Sequence, residues 1–231
     1  LGAADGIEGV VCGRDGKHVV VRFGSRYQVV APRFARLDLE QQRGGARIGE
    51  VAGKRQPPDF ALWNMSLFGK PARDGKKVPW HQDGEYWPIR PMATTRIWVA
   101  LDETSRENGC LRYVRGSHKR KEIRQHHEAD NRDMLLHYGI DTNEIDEADL
   151  FDLVLEPGQM AIHDIYMVHG SNANETDRPR RAIVLNYMPT TSHFDHVLAA
   201  KQYAEMDINF NHAERPLFLM RGLDRCVFND F

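Results

Sequence analysis

The stretch Trp80-His81-Gln82-Asp83-Gly84 places a histidine and an aspartate two residues apart. On an extended strand, residues i and i+2 point to the same face and lie roughly 6.6 Å apart along the backbone. The imidazole of His81 and the carboxylate of Asp83 can therefore converge on one metal ion, while Gln82 faces the other side. Two ligands do not make a metal site, so a third must come from elsewhere in the chain.

The best third ligand is His169, which lies just before Gly170-Ser171 at the end of a predicted strand. His163 competes with it. If residues 160–169 form one strand, the two histidines share a face but lie roughly 20 Å apart, so only one reaches the metal. We prefer His169 because binding sites favour strand ends and loops, and we expect His163 to be a hydrogen-bonded structural histidine. Two histidines and one carboxylate with open positions form the facial triad of non-haem Fe(II) oxygenases.

A second signal is Arg180, at the start of the strand that returns after the loop of residues 171–179. Antiparallel pairing would bring it back near the metal, where a guanidinium can bind the carboxylate of a dianionic cosubstrate. Ser171 could add a hydroxyl donor. Alternation along a strand puts Arg181 on the opposite face, so we expect one arginine inside and the other in solvent.

The fold is predicted to be mainly β. Many short strands with turns about every 8–12 residues are typical of an all-β barrel or sandwich. The predicted strands are residues 60–68, 94–101, 110–114, 151–155, 160–169 and 181–188.

Two domains are predicted. Residues 1–45 form a short β-rich N-terminal region, with a three-stranded meander at 9–31, and residues 59–231 form the core. The charged, Gly- and Gln-rich stretch 38–58 is predicted to be a linker or mobile loop. Residues 118–150 are polar and suited to a lid, with weak helical signals at 130–138 and 144–150. A short helix is expected at 197–206.

Composition narrows the class of protein. The 231 residues carry a net charge of −2, so bulk electrostatics favour neither nucleic acid nor a membrane surface as a partner. No apolar run reaches the ~20 residues that span a bilayer. Three scattered cysteines, Cys12, Cys110 and Cys226, fit a reducing cytoplasm better than a disulfide scaffold. The start lacks the basic and apolar regions of a signal peptide, so none is expected there. It also lacks an initiator Met, which is expected of a truncated chain.

Four motifs in this order resemble the phytanoyl-CoA dioxygenase family, whose members are Fe(II)- and 2-oxoglutarate-dependent oxygenases. The motifs are residues 80–88 (WHQDGEYWP), 107–111 (ENGCL), 116–119 (GSHK) and 169–171 (HGS) followed by Arg180. The resemblance covers about residues 60–190 of the sequence. It implies a double-stranded β-helix (jelly-roll) core with a few flanking helices.

The resemblance also implies roles for individual residues. Iron would be held by His81, Asp83 and His169. Arg180, assisted by Ser171, would grip the distal carboxylate of 2-oxoglutarate, and O₂ would be the other cosubstrate. Trp98 falls where the family places a residue beside the cosubstrate, although it could equally be a core tryptophan.

The implied reaction is hydroxylation of an unactivated C–H bond of a small molecule, with release of succinate and CO₂. Related halogenases replace the carboxylate ligand with a small residue, so Asp83 argues against halogenation. Tyr86, Trp87 and Arg90 are candidates for the substrate pocket. The basic stretch 112–124 suits an anionic substrate, but it could also be a solvated loop balanced by acidic residues 141–152.

Two alternatives stay open. The same triad could hold zinc in a hydrolase or isomerase, although that leaves Arg180 and Ser171 unexplained. The chain could instead be a non-catalytic jelly-roll binding protein, because family members usually have a longer, helical N-terminal region than residues 1–58.

Overall fold

The computed structural model describes residues 59–128, 134, 136, 138–205 and 211–231, together with three strands near the N-terminus. These strands are β1 (Ile7–Cys12), β2 (Val19–Phe23) and β3 (Arg26–Val29), and they form an antiparallel sheet in that order. The three strands predicted within residues 9–31 are therefore present. The predicted linker at 38–58 lies outside the described residues, so the division into two domains stays a prediction.

Strands are the main regular secondary structure of the described chain. The remaining strands are β4 (Phe60–Lys70), β5 (Val78–His81), β6 (Ile89–Arg90), β7 (Thr95–Ala100), β8 (Arg112–Val114), β9 (His127–Glu128), β10 (Tyr138–Gly139), β11 (Leu150–Asp152), β12 (Met160–Asp164), β13 (His169–Ser171), β14 (Arg180–Pro189), β15 (His193–Phe194) and β16 (Phe218–Arg221). A helix, α1 (His196–Glu205), confirms the one expected at 197–206. Its first turn is capped by Asp195, whose Oδ1 accepts a hydrogen bond from the backbone N–H of Leu198 at 2.8 Å.

Two antiparallel sheets form the core. The larger has the strand order β12-β7-β14-β4-β16, and the smaller has the order β11-β8-β13-β5. The chain crosses between the two sheets from β4 to β5, through β6 to β7, and then from β7 to β8, β11 to β12, β12 to β13 and β13 to β14. This alternation is the winding of a double-stranded β-helix and confirms the predicted jelly-roll core.

The interior is filled by the side chains of alternate strand residues, as the pleat requires. On β4, Trp63 is 1% exposed, and its ring meets that of Trp87 edge-on with the centroids 5.0 Å apart. On β7 and β14, Trp98 packs with Ala182 and Val184 in a second cluster. Aromatic side chains buried to this degree typically contribute about 3–5 kcal/mol each to the free energy of unfolding.

The prediction of one strand over residues 160–169 is wrong. The chain forms β12, turns at residues 165–168, and enters the other sheet as β13. Asp164 stabilises the turn, because its Oδ1 accepts the N–H of Tyr166 at 3.0 Å and its carbonyl accepts the N–H of Met167 at 3.2 Å. An aspartate that bonds to the backbone two residues ahead is a common turn former.

The segment predicted to be a lid contains 3₁₀ turns where helices were expected. Residues 144–150 include the 3₁₀ turn Glu147–Asp149, and Asp146 caps it by accepting the N–H of Ala148 at 2.9 Å. A segment this short does not nucleate an α-helix, and an aspartate bonded to nearby N–H groups favours a turn. The helical signal at 130–138 falls mostly outside the described residues.

Within the described ranges, no helix is both long enough and apolar enough to cross a membrane.

Candidate metal centre

The three residues predicted to bind a metal lie together, two on adjacent strands and the third just beyond the end of one of them. His81 ends β5 and His169 begins β13, and the two are direct cross-strand partners. Asp83 follows β5 as the first residue of the 3₁₀ turn Asp83–Glu85. Its Oδ1 lies 3.8 Å from His81 Nε2, and its Oδ2 lies 3.9 Å from His169 Nε2. One ligand atom from each residue lies within 4.8 Å of the others, and all three residues are buried.

The rings of the two histidines are held in the orientation that a metal requires. The Nδ1 atom of His81 lies 2.9 Å from the carbonyl oxygen of Pro79, and Nδ1 of His169 lies 2.9 Å from that of Met167. A carbonyl oxygen can only accept, so each Nδ1 carries the proton. The lone pair of each Nε2 is therefore free and faces Asp83, as in metal-binding histidines whose other nitrogen donates to a carbonyl.

The charges at the site also suit a metal ion. Burial lowers the pKa of His81 to about 4 and the pKa of His169 well below its usual value, so both rings are neutral near pH 7. Burial by itself would raise the pKa of Asp83, but Arg96 and the neighbouring histidines outweigh burial and hold that pKa low. Arg96 Nη1 lies 3.1 Å from Asp83 Oδ1. Two neutral imidazoles and one carboxylate form a donor set that fits Fe(II), and it fits Zn(II) as well.

His163 lies beside this cluster, which contradicts the predicted separation from His169. The ring centroids of the two histidines are 4.8 Å apart, and His163 Nε2 lies 3.5 Å from Asp83 Oδ2. The turn at residues 165–168 is the reason, because it carries the chain across to the facing sheet. His163 is hydrogen-bonded, as expected, through Nδ1 to the hydroxyl of Tyr113 at 2.6 Å.

Gln82 points away from the predicted metal ligands His81 and Asp83, as its position between them in the sequence predicts. Its Nε2 donates to the carbonyls of Glu122 and Tyr166 at 2.9 and 2.7 Å, and its Oε1 accepts the N–H of Arg124 at 2.8 Å. Gln82 therefore ties the end of β5 to residues 122–124 of the predicted lid. These residues follow the 3₁₀ turn Ser117–Arg120.

Arg180 faces the interior and Arg181 faces solvent, as alternation along β14 predicts. Arg180 is 3% exposed, and its guanidinium carbon lies 5.4 Å from the ring centroid of Trp98, which is buried too. Arg181 forms a two-pronged ion pair with Asp102, with both contacts at 2.8 Å. Within the described chain, Arg180 Nε and Ser171 Oγ are buried without a hydrogen-bond partner. Two orphaned donors in a buried position suit an anionic ligand.

Lys70 is a further candidate site residue, which the sequence analysis did not identify. It is the cross-strand partner of Arg180 and is 4% exposed. Burial and the neighbouring charge of Arg180 lower the pKa of Lys70 to about 7. Its ammonium donates to the carbonyls of Lys76 and Asn172. Like charges directly opposite each other destabilise a sheet, so this buried pair would be stabilised by a bound anion. The β4–β14 register, which sequence reasoning did not assign, would have revealed it.

Of the three candidates for the substrate pocket, Tyr86 packs beside a predicted metal ligand. The Tyr86 ring centroid is 6.1 Å from that of His81, and the Tyr86 hydroxyl donates to the carbonyl of Tyr138 at 2.7 Å. Arg96 Cζ lies 4.7 Å from the ring centroid of Trp87. The guanidinium of Arg90 donates to the backbone, to the carbonyls of residues 87 and 89.

The basic stretch 112–124 contains ion pairs that fit the alternative of a charge-balanced loop. Arg112 Nε donates to Asp152 at 2.6 Å, and Lys121 is paired with Asp164. Asp152 belongs to the acidic stretch 141–152, which the sequence analysis expected to balance the charge of the basic stretch. The preference for an anionic substrate therefore stays a prediction.

The chain is similar to known proteins in both sequence and fold. The model of the phytanoyl-CoA dioxygenase (PhyH) family matches residues 28–182, so the match begins upstream of residue 60, where the motif resemblance starts. The peroxisomal phytanoyl-CoA dioxygenase of Homo sapiens is 30% identical over 151 residues, which are 63% of this chain and 44% of the human protein. A probable phytanoyl-CoA dioxygenase of Caenorhabditis elegans is 31% identical over 145 residues, covering 61% of this chain and 46% of that protein. The chain thus spans less than half the length of these two relatives.

Solved structures show the same fold. The non-heme monooxygenase ThoJ aligns with a TM-score of 0.59 and 29% identity, over 77% of this chain and 59% of ThoJ. SnoK, a non-heme alpha-ketoglutarate-dependent carbocyclase from nogalamycin biosynthesis, aligns with a TM-score of 0.53 and 22% identity, over 64% of this chain and 57% of SnoK. At that identity, the likeness to SnoK concerns the fold alone.

Proposed function

Since the chain belongs to the phytanoyl-CoA dioxygenase (PhyH) family of Fe(II)- and 2-oxoglutarate-dependent oxygenases, we propose that it hydroxylates an unactivated C–H bond of a small molecule. The cosubstrate would leave as succinate and CO₂. The observation that carries this proposal is the buried cluster in which two free Nε2 lone pairs face one carboxylate. In this proposal, His81, Asp83 and His169 are the iron ligands.

Arg180 and Ser171 are proposed to bind the distal carboxylate of 2-oxoglutarate. Both carry a buried donor for which the described chain offers no partner. The fork of an arginine matches the two oxygens of a carboxylate. Lys70, directly across the strand pair, adds a second positive charge. Trp98 packs against the Arg180 guanidinium and would keep it aimed at the cosubstrate.

When bound, Fe(II) supplies a Lewis-acidic redox centre at which O₂ oxidises the 2-oxo acid and the substrate C–H bond. The protein keeps the ligands in their binding form, because His81 and His169 remain neutral and Asp83 remains ionised near pH 7. Burial of these side chains excludes water, which favours oxidation of the substrate over side reactions. The cationic pair Lys70 and Arg180 would bind the distal carboxylate of the dianion and leave its 2-oxo acid end for the metal.

The choice of metal separates this proposal from a zinc hydrolase or isomerase. We expect apo-protein loaded anaerobically with Fe(II) to release ¹⁴CO₂ from 2-[1-¹⁴C]oxoglutarate after air is admitted, even without a known substrate. The Zn(II)-loaded protein should release none. Equal ¹⁴CO₂ release with either metal, or no release with Fe(II), would contradict the proposal that the protein is an oxygenase.

Lys70 makes a prediction for the pH dependence of cosubstrate binding. Its lowered pKa, about 7, means that it is half charged near neutrality. An anion bound nearby stabilises the charged form, so binding above that pH must be accompanied by proton uptake. The neighbouring groups stay fixed, because the pKa of Arg180 is about 10 and that of the Cys110 thiol about 11. We therefore expect the Kd of 2-oxoglutarate to rise with pH above 7, by up to roughly tenfold per pH unit.

The measurement is calorimetry of 2-oxoglutarate binding to metal-loaded protein between pH 6.5 and 8.5, in buffers of different ionisation enthalpy. Lys70→Met should bind more weakly at pH 6.5 and show no proton uptake, while circular dichroism confirms that it is folded. A pH slope that Lys70→Met leaves unchanged would rule Lys70 out as its source.

A further inference from the structure

A chain of polar contacts runs from Tyr113 through His163 to the Asp83 carboxylate. We propose that Tyr113 and His163 are positioning residues that fix the orientation of this carboxylate for metal binding. The inference rests on the proposed function, because it takes Asp83 to be a metal ligand. It gives His163 a role in the site as well as in the packing of the barrel.

The contacts form a continuous buried path across the barrel. The hydroxyl of Tyr113, on β8 of the smaller sheet, lies 2.6 Å from Nδ1 of His163, on β12 of the larger sheet. Nε2 of His163 lies 3.5 Å from Asp83 Oδ2, close enough to attract the carboxylate but not a formed hydrogen bond, and within the described chain both atoms are buried without a hydrogen-bond partner. Tyr113 is 8% exposed and His163 4% exposed, so water competes little for these contacts.

The chemistry of the groups determines where the protons lie along this path. A tyrosine hydroxyl is protonated near pH 7, and that of Tyr113 lies within hydrogen-bond distance of His163 Nδ1, so it can donate to that nitrogen. A neutral imidazole then carries its own proton on Nε2, which faces the ionised oxygen of Asp83. The other tautomer would point a nitrogen lone pair at a carboxylate oxygen. The tyrosine hydroxyl therefore selects the tautomer in which His163 attracts Asp83.

Arg96 holds only one of the two carboxylate oxygens. Its Nη1 lies 3.1 Å from Asp83 Oδ1, and its Nε donates to Asn186 Oδ1 at 3.0 Å. The torsion that turns a carboxylate is broad and soft, so one contact leaves it free to rotate. With Arg96 beside Oδ1 and His163 beside Oδ2, rotation of the Asp83 carboxylate is opposed at both oxygens. Each oxygen keeps a lone pair directed toward His81 or His169.

His163 acts through Asp83 and does not take the place of a ligand. Its Nδ1 is engaged by the Tyr113 hydroxyl. Among the described residues, the group of ligand atoms within 4.8 Å of one another comprises His81, Asp83 and His169. Partners that hold a metal ligand in place typically change metal affinity by about 10–100-fold when they are removed.

The test uses Co(II) as the metal, because its visible absorption reports ligand geometry without any turnover. Wild type, Tyr113→Phe and His163→Leu are titrated with Co(II), and their melting temperatures are measured with and without the metal. We expect Kd to rise by about 10–100-fold in both variants, with a shifted d–d spectrum. His163→Gln, whose amide can donate to Asp83, should recover part of the affinity. Tyr166→Phe is the matched control, since its hydroxyl contacts the carbonyl of Met92 at 3.4 Å, and it should leave Kd unchanged.

The outcomes separate the possible failures. A lower melting temperature of the metal-free variants with wild-type Kd and spectrum would show a purely structural role and overturn the inference. Complete loss of Co(II) binding in His163→Leu, with Tyr113→Phe unaffected, would make His163 a ligand and also overturn it. If wild type itself bound no Co(II), the proposed metal site would fail, and this inference with it.

Discussion

Replacing Asp83 with alanine should abolish both iron binding and 2-oxoglutarate turnover. The substitution removes the only carboxylate among the three proposed ligands. It also leaves the buried guanidinium of Arg96 without its anionic partner at 3.1 Å. Breaking a buried ion pair from one side typically costs about 3–5 kcal/mol, so the free energy of unfolding of the metal-free protein should fall as well. Iron content after desalting, succinate formation and urea unfolding measure the three effects.

Asp83→Asn separates the loss of the ligand from the loss of stability. The amide oxygen can still accept from Arg96, so the variant should unfold closer to wild type yet fail to retain iron. Asp177→Ala is the control for a carboxylate paired with arginine at the surface, since its side chain is 79% exposed beside Arg73. It should change stability by no more than about 0.5 kcal/mol and leave iron binding intact. Full turnover in Asp83→Ala would contradict the assignment of the ligand.

Replacing Arg180 with methionine should weaken 2-oxoglutarate binding by roughly 10–150-fold, which corresponds to the loss of about 1.5–3 kcal/mol for a hydrogen bond to a charged group. The physical reason is that the buried guanidinium, 3% exposed, has an Nε donor that the described chain leaves without a partner. Arg181→Met is the matched control on the opposite face of β14, paired with Asp102 in solvent. Anaerobic calorimetry on Fe(II)-loaded protein measures the Kd of each.

A 2-oxo monoacid of similar length shows whether Arg180 acts on the distal carboxylate. The monoacid should bind wild type and Arg180→Met with nearly equal affinity, because it lacks the group that Arg180 is proposed to hold. An equal loss for both ligands would mean that Arg180 acts on the fold or on the metal end of the site. Unchanged binding of 2-oxoglutarate would remove Arg180 from the cosubstrate site.

Much of this site follows from local sequence. The i, i+2 spacing of His81 and Asp83 predicts a shared face, and the structure brings both beside His169. Alternation along one strand likewise predicts that Arg180 and Arg181 point in opposite directions. Which face each of these side chains points to depends only on the two-residue period of extended backbone, so it can be predicted from local sequence.

Relations that depend on how the chain crosses between sheets were harder to predict. The apolar run before His169 reads as one strand, and the turn that begins at Asp164 brings His163 to within 3.5 Å of Asp83. Lys70 lies at the end of β4, and only the register with β14 places it opposite Arg180. The positions of His163 and Lys70 beside the candidate site depend on contacts between segments that are distant in the sequence. A single sequence gives little information about such contacts.

The most direct test of the central claim is an anaerobic titration of the metal-free protein with Fe(II) and then 2-oxoglutarate, followed by visible absorption. A 2-oxo acid bound to iron through its keto and carboxylate oxygens has a metal-to-ligand charge-transfer band. We predict that a band appears and saturates with one equivalent of each in wild type, and that Asp83→Ala shows none. Iron bound by wild type without any band upon addition of 2-oxoglutarate would contradict the account.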